Sequence, residues 1–437
     1  MSNSLVFLSI PGLRAADLSR MPSLSALASS GSRATLVPSF PCVTWPVQTT
    51  MLTGRLPNEH GVVSNGFYSR KRHEVEMWTA GNEVIQSPQI WDLLHQRDKN
   101  IQSAVWFPML SKRCGARYVC MPAPVHNPDG SESLWCYTKP AELYGELLGQ
   151  LGHFPLQNFW GPMANIQSSE WIARSACLAA GRYHPQFFYI YIPHLDYAAQ
   201  KEGPDSPAAA EAVGQLDALI GELTREMALA FNGDVSWMVA SEYAIVPVNH
   251  VSYPNRVLRE LGLLEVRVSE GEQLDLERSR AWSLVDHQFS HLFVRDADAT
   301  VLKRIQSAFK SEPGIAEVLV GDQRSKYGMD HWRSGEVILI SEPESWQAYY
   351  WWMKDENAPP YARTVDIHSK PGYDPVELCF DPVTKSIPLD ATLVCGSHGA
   401  PAVESAQQGV VLTSWDEPAL ENSLRDKDIA SIVMNRI

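Results

Sequence analysis

The chain contains no run approaching the ~18 consecutive apolar residues of a membrane span, so no membrane partner is expected. Its start, Met1 to Ile10, has neither a basic region nor a long apolar stretch, so no secretory leader is read and the expected location is cytoplasmic. Cysteine is sparse and scattered. The seven residues are odd in number and include no Cys-x-x-Cys pair, which argues against a disulfide frame or zinc ribbon and for reduced thiols. Positive charge is also short: 36 Lys and Arg face 50 Asp and Glu, giving a formal net charge of -14. A nucleic acid polymer, which is bound through clustered cations, is therefore not an expected partner. Repeats, low-complexity tracts and long linkers are missing as well. What is present, 437 residues with 45% hydrophobic and 20% charged, suits a globular protein with one large core or two domains and a cleft for a small-molecule substrate. Nothing in it bears on oligomeric state.

The apolar runs Leu5 to Ile10, Gln186 to Ile192 and Val235 to Ala240 read as buried parallel strands, since a strand covered on both faces shows no alternation. Helices are expected over Asp17–Ser30, Gln89–His95, Ser168–Ala180 (capped by Ser168 or Ser169), Pro207–Phe231 and Val251–Leu263, with further strands at Thr35–Pro38 and Gln102–Trp106. Lys112 to Tyr137 reads as irregular. From Ala281 the order changes to strand (Ala281–Val294), helix (Asp298–Ser311), strand (Ala316–Val320) and strand (Glu336–Ser341), which suggests an α+β insertion.

One stretch carries most of the chemistry, Pro38-Ser-Phe-Pro-Cys-Val-Thr44-Trp-Pro-Val-Gln-Thr-Thr-Met-Leu-Thr-Gly54. Its prolines at 38, 41 and 46 are expected to delay the helix to about Val47, leaving Thr44 in a bent loop and Gly54 as the stop. A hydroxyl at a helix N-terminus meets free N–H groups, which suits a nucleophile that attacks an anion. Phe40-Pro-x-x-Thr44-x-Pro46, Thr50-x-x-Thr53-Gly54, Pro57-x-x-His60-Gly61 and Asn65-x-Phe-Tyr68, in register, resemble the nucleophile segment of the nucleotide pyrophosphatase/phosphodiesterase branch of the alkaline phosphatase superfamily. That resemblance implies an alkaline-phosphatase-like α/β fold, a central mostly parallel sheet flanked by helices, and a threonine nucleophile between two metal ions.

Against that pattern, Thr44, Asp196 and His398 keep the family residue, whereas Pro11, Gln200, Glu242 and Tyr243 replace metal ligands, and Pro46-Val47-Gln48 lacks the family's asparagine. The resemblance thus implies a divalent metal (Zn, Mg, Mn or Fe) at Asp196, Gln200, Glu242 and His398, with fewer ions than the family's two, and Thr44 and Tyr243 as catalytic residues. His194, Asp286, His287, His291, Asp366 and His368 could instead form a relocated site; His287 and His291 are expected on one strand, and Asp366 and His368 on one strand face. Tyr349 to Trp352 reads as core packing, and His331 with Arg333 as an anion site or a surface pair.

The domains expected are a core over 1–280, an α+β insertion capping the cleft over 281–384, and a return to the core over 385–437. The function expected is metal-dependent hydrolysis or transfer on a small phosphodiester or phosphorylated metabolite. The alternatives are a repurposed metalloenzyme with non-phosphoryl chemistry in a biosynthetic pathway, and a catalytically silent binding protein.

Overall fold

A computed structural model describes residues 4–126 and 132–437. Residues 1–3, part of the start read for a leader, and 127–131, part of the stretch expected to be irregular, lie outside the described residues. A nine-stranded sheet organises the molecule, in the order Ser423–Arg425, Arg33–Val37, Gly409–Thr413, Val235–Ser241, Ser4–Ile10, Phe187–Tyr191, Ser103–Trp106, Tyr118–Pro122 and Cys136–Lys139. Gly409–Thr413 runs antiparallel to both its neighbours and Cys136–Lys139 to its single one. The remaining pairs are parallel, so the fold is α/β with a mostly parallel sheet flanked by helices.

The three strands read from apolar runs lie side by side at the centre. Phe187 to Tyr191 is wholly buried, with Leu5 opposite Phe187 on one side and Ala104 opposite Phe188 on the other. Burial on both faces is why only β-branched and aromatic residues occupy it. The long helices Ile166–Tyr183 and Pro207–Ala230 pack on each other. No helix among the described residues is long and apolar enough to cross a membrane, and the seven cysteines are unpaired.

A second, antiparallel sheet holds Ala281–Asp286, Phe289–Val294, Val337–Ser341 and Ile315–Val320, with helix Ala299–Phe309 packed on its last strand. It meets the nucleophile segment through Phe40, whose ring lies edge-on to Phe289 at 5.3 Å.

Several expected elements differ. The helix over Asp17–Ser30 is split into a 3-10 turn, Ala15–Arg20, and a short α-helix, Pro22–Leu27, because Pro22 cannot continue a preceding helix. The region from Lys112 contributes two strands, Tyr118–Pro122 and Cys136–Lys139; the first is a fully buried run, and its Pro122 falls at the strand end. Asn165, not Ser168 or Ser169, caps Ile166–Tyr183, its side chain accepting from the Gln167 N–H. The helix expected from Val251 is confined to Pro254–Glu260. Ala281–Val294 is a hairpin rather than one strand, and His287, at φ 60°, forms its turn. Asp366 and His368 lie in a turn, not on a strand.

Candidate active site

Loops leaving the carboxyl ends of Ser4–Ile10, Phe187–Tyr191 and Val235–Ser241 bring Gly12, Asp196 and Tyr243 together, as ligand sites in open α/β sheets do. Gly12 has φ 75°, donates its N–H to the Tyr243 carbonyl at 2.9 Å, and has Leu195 and Asp196 within 3.6 Å of where a Cβ would stand. No larger residue fits that turn without strain. Pro11 supplies no side-chain ligand.

The helix carrying Thr44 begins at Thr44 itself, earlier than expected, and runs to Thr53 before Gly54 in the left-handed region. Pro46 sits inside the first turn, where an N–H has no intrahelical acceptor to lose. Of the other first-turn amides, that of Trp45 donates to Asn65 Oδ1 at 2.9 Å, and that of Val47 to the Val43 carbonyl at 3.1 Å. Thr44 is the first residue of this turn, at the positive end of the helix that favours an anion. His60 fixes the far side of this helix: its Nδ1 accepts from the Val62 N–H at 3.1 Å, so Nε2 carries the proton toward Thr50 Oγ1 at 3.1 Å. Burial pushes the His60 imidazole down to about 3, and it stays neutral.

The Thr44 hydroxyl lies 3.0 Å from the Tyr243 hydroxyl, which itself donates to Asp196 Oδ2 at 3.0 Å. A phenol has one proton, so with that proton on Asp196 the Thr44 hydroxyl is the donor to Tyr243. The three groups form a directed chain from Thr44 to a carboxylate. Burial raises the Asp196 carboxyl to about 7, partly offset by the Tyr243 bond, and burial holds the Tyr243 phenol well above 10. Tyr243 is fixed by its ring, which stacks on His398 at 3.7 Å and 5°. His398 Nδ1 donates to the Cys42 carbonyl at 2.8 Å; burial, then the neighbouring His287, keeps the ring neutral.

Three buried acceptors here lack partners, Asp196 Oδ1, His398 Nε2 and Glu242 Oε2. Asp196 and His398 line one cavity with Gln200, whose Oε1 takes the Tyr373 hydroxyl at 2.9 Å, and together they offer the oxygen and nitrogen donors a divalent cation takes. Asp196, Gln200 and His398 thus fit one cation. A second set is less complete: Pro11 offers nothing, the Tyr243 hydroxyl already bridges Thr44 and Asp196, and Glu242, although its Oε2 has no partner, does not line the cavity. Glu242 Oε1 instead takes Ser9 Oγ at 2.7 Å and Gln48 Nε2 at 2.8 Å, and burial raises its carboxyl to about 8. Tyr243, not Glu242, is the partner of Thr44. Among the described residues no three His, Cys, Asp or Glu side chains are grouped to hold a metal.

The six residues of the alternative site do not converge. Asp286 is a structural hub that accepts from Ser64 Oγ (2.9 Å), the Asn65 N–H (2.9 Å), Asn65 Nδ2 (3.1 Å) and His287 Nδ1 (2.7 Å), tying the Thr44 helix to the second sheet through Asn65. Both ring nitrogens of His291 are engaged, by the Val63 carbonyl and the Gly335 N–H. His194 bonds Gln215 and lines a separate cavity of about 150 Å³, and Asp366 caps the His368 and Ser369 N–H groups. Only His287 and His368 reach the main cavity. Arg333 is held by the Gly61 and Val84 carbonyls, both at 2.7 Å, and Tyr349 to Trp352 are fully buried core.

That main cavity, about 350 Å³, has Thr44, Asp196, Tyr243 and His398 on its walls, together with Tyr373 and Glu377. Tyr373 and Glu377 were not singled out from sequence; the spacing Lys370, Asp374, Glu377 was their one signal, and Lys370 bonds both carboxylates.

A family model described as type I phosphodiesterase / nucleotide pyrophosphatase matches residues 5–374. An uncharacterized pyrophosphatase/phosphodiesterase of Schizosaccharomyces pombe is 26% identical over 231 residues, 51% of this chain and 40% of its own length. Ectonucleotide pyrophosphatase/phosphodiesterase 1 of Saccharomyces cerevisiae is 23% identical over 202 residues, 44% of this chain and 26% of its own. The chain therefore spans less than half the length of these curated relatives. Among solved structures, phosphonoacetate hydrolase from Sinorhizobium meliloti 1021, in complex with phosphonoformate, superposes with TM-score 0.66 at 18% identity, covering 100% of this chain and 96% of that one. An inactive form of murine ectonucleotide pyrophosphatase/phosphodiesterase 5, in complex with AMP, gives 0.62 at 12% identity, covering 99% and 94%. The overlap extends the likeness in fold, alkaline-phosphatase-like, to the whole chain.

Proposed function

The chain belongs to the type I phosphodiesterase and nucleotide pyrophosphatase family, and on that premise we propose that it hydrolyses a small phosphodiester or phosphorylated metabolite, with Thr44 as nucleophile and Tyr243 and Asp196 as its proton relay. The observation that carries this reading is the chain of two 3.0 Å hydrogen bonds from Thr44 to Asp196.

As Thr44 oxygen attacks phosphorus, its proton passes to the Tyr243 oxygen while the Tyr243 proton passes to Asp196. The first ester oxygen leaves and phosphorus is bonded to Thr44. Water then displaces Thr44, which takes its proton back from Tyr243 as Tyr243 recovers its own from Asp196, and the proton that the water gives up neutralises, through solvent, the alkoxide that left in the first step. The positive end of the Thr44 helix faces the phosphoryl oxygens. Burial lifts the Asp196 carboxyl above its ordinary range, so with no ion on Oδ1 it can both accept and return a proton.

A divalent ion held by Asp196, Gln200 and His398 would add Lewis acidity at a phosphoryl oxygen. The relay itself needs no second ion, because the Tyr243 hydroxyl joins Thr44 to Asp196 directly. Residues 281–384 act as the cap of the cavity, a reading supported by the contribution of His287, Tyr373 and Glu377 to its walls. The unpaired cysteines suit a reducing, cytoplasmic setting.

The test is turnover of a bis-nitrophenyl phosphodiester with Mg, Mn, Zn or Fe supplied in turn. Thr44→Ala abolishes turnover while circular dichroism is unchanged. Turnover that survives in Thr44→Ala refutes the assignment.

A further inference from the structure

The ring stack that begins at Tyr243 continues through His398 to His287 at 3.9 Å and on to Tyr373 at 4.1 Å. Beyond Tyr373 lies a group of charges that the relay does not use. Lys370, fully buried, bonds Asp374 Oδ2 at 2.9 Å and Glu377 Oε1 at 2.5 Å. Asp374 is otherwise satisfied by the Val376 N–H, and Glu377 Oε1 also takes the Asp366 N–H at 3.2 Å. Glu377 Oε2 has no partner at all, although the side chain is 3% exposed and lines the cavity. A buried carboxylate oxygen without a donor is costly, so this one calls for a hydrogen-bond donor from a ligand.

The sign of the charge narrows the choice. Three carboxyl groups, Asp196, Asp374 and Glu377, line the cavity, and among the described residues the cation buried against them is Lys370; Lys112 reaches the cavity from the exposed rim. Lys370 offsets one of the two carboxylates it bonds and burial raises the Glu377 carboxyl to about 7, so a cation, which favours the ionised form, fits the Glu377 end where an anion does not. Close by, the Tyr373 ring, one face of which rests on His287, lies edge-on to Trp78 with centroids 6.2 Å apart, and both line the cavity as an aromatic wall that favours a cation. Oε2 needs an N–H to point at it, which a quaternary ammonium lacks.

We propose that the Glu377 end of this cavity binds a primary or secondary ammonium group of the substrate, which makes the substrate class an aminoalkyl phosphodiester. The inference rests on the phosphodiester reading above for the other end of the molecule, and Glu377 acts here as a specificity residue.

The experiment compares aminoethyl and propyl nitrophenyl phosphodiesters, which differ only in ammonium against methyl. It also compares the binding of ethanolamine with that of ethylene glycol by saturation-transfer NMR on the full chain. The expected result is a kcat/KM preference for the aminoethyl ester of about ten- to hundredfold, the range of one charge-assisted hydrogen bond, with the preference collapsing in Glu377→Gln. Ethanolamine is expected to bind and ethylene glycol not to. Equal kcat/KM for the two esters, or equal binding of the two small probes, overturns the inference and leaves hydrolysis by Thr44 standing. If neither ester is hydrolysed but ethanolamine binds selectively, the hydrolytic reading fails and the ammonium site stands. Should Glu377→Gln not fold, the wild-type ester ratio and the two probes decide.

Discussion

Replacing Tyr243 by phenylalanine removes one oxygen atom and interrupts the proposed relay at its middle. Thr44 loses its 3.0 Å hydroxyl partner, and Asp196 loses the hydrogen bond on Oδ2 while Oδ1 already has none. The ring remains, and with it the 3.7 Å stack on His398 and the backbone bond from Gly12, so the loop has no reason to move. General acid–base catalysis contributes about a hundred- to ten-thousandfold, and kcat is expected to fall by that factor. KM should change little, because the lost hydroxyl faces a protein carboxylate rather than the ligand. The pH profile gives a second, independent sign. As a base Asp196 acts unprotonated, so activity rises with pH as the carboxyl ionises, from a midpoint that burial raises above the ordinary carboxylate range and that a cation at Oδ1 would lower. The Tyr243 bond favours the ionised form, so its removal moves that midpoint to higher pH. Steady-state kinetics on a nitrophenyl phosphodiester across neutral pH measures both effects. A phenylalanine variant with wild-type kcat and an unmoved midpoint would show that the proton leaves Thr44 by another route.

Glu242 titrates far from its ordinary value, raised from 4.5 to about 8 by burial, so its neutral form is favoured by folding and its stabilising effect is lost as pH rises from the unfolded value through about 8. Wild-type stability in urea is therefore expected to decline between about pH 5 and about pH 9, by about 5 kcal/mol at most, and Glu242→Gln to lose this part of the slope. An equal slope in both proteins counts against it. Metal content has a stoichiometric signature: protein purified without chelator and dialysed against Zn or Mn retains at most one ion per chain, and His398→Ala retains none. Two tightly held ions in the wild type would contradict the donor set described for Asp196, Gln200 and His398.

Much of the fold was readable because it depends on local composition. Phe187–Tyr191 is an uninterrupted apolar run, and a strand covered on both faces has no other pattern available to it. Gly54 closes the Thr44 helix in the left-handed region that glycine adopts freely, so its end could be placed from one residue. The start of that helix was misjudged because a proline in a first turn costs no hydrogen bond, and the rule that prolines break helices applies only further in. Long-range partners were hidden. Asp286 reads as a candidate ligand until its bonds to Ser64 and Asn65, more than 220 residues away, use its oxygens. Register identified Tyr243 as a replaced ligand, but nothing along the chain says that its hydroxyl reaches Thr44 and Asp196 at once. His291 likewise looks available until both nitrogens meet backbone groups.

In the proposed hydrolysis Thr44, and not water, makes the first bond to phosphorus. A phosphodiester made chiral at phosphorus by sulfur substitution and hydrolysed in isotopically labelled water tests it directly. Attack by Thr44 followed by attack of water is two in-line displacements, and the predicted product has retained configuration. Inverted configuration would mean that water attacks in a single displacement, and Thr44 would not be the nucleophile.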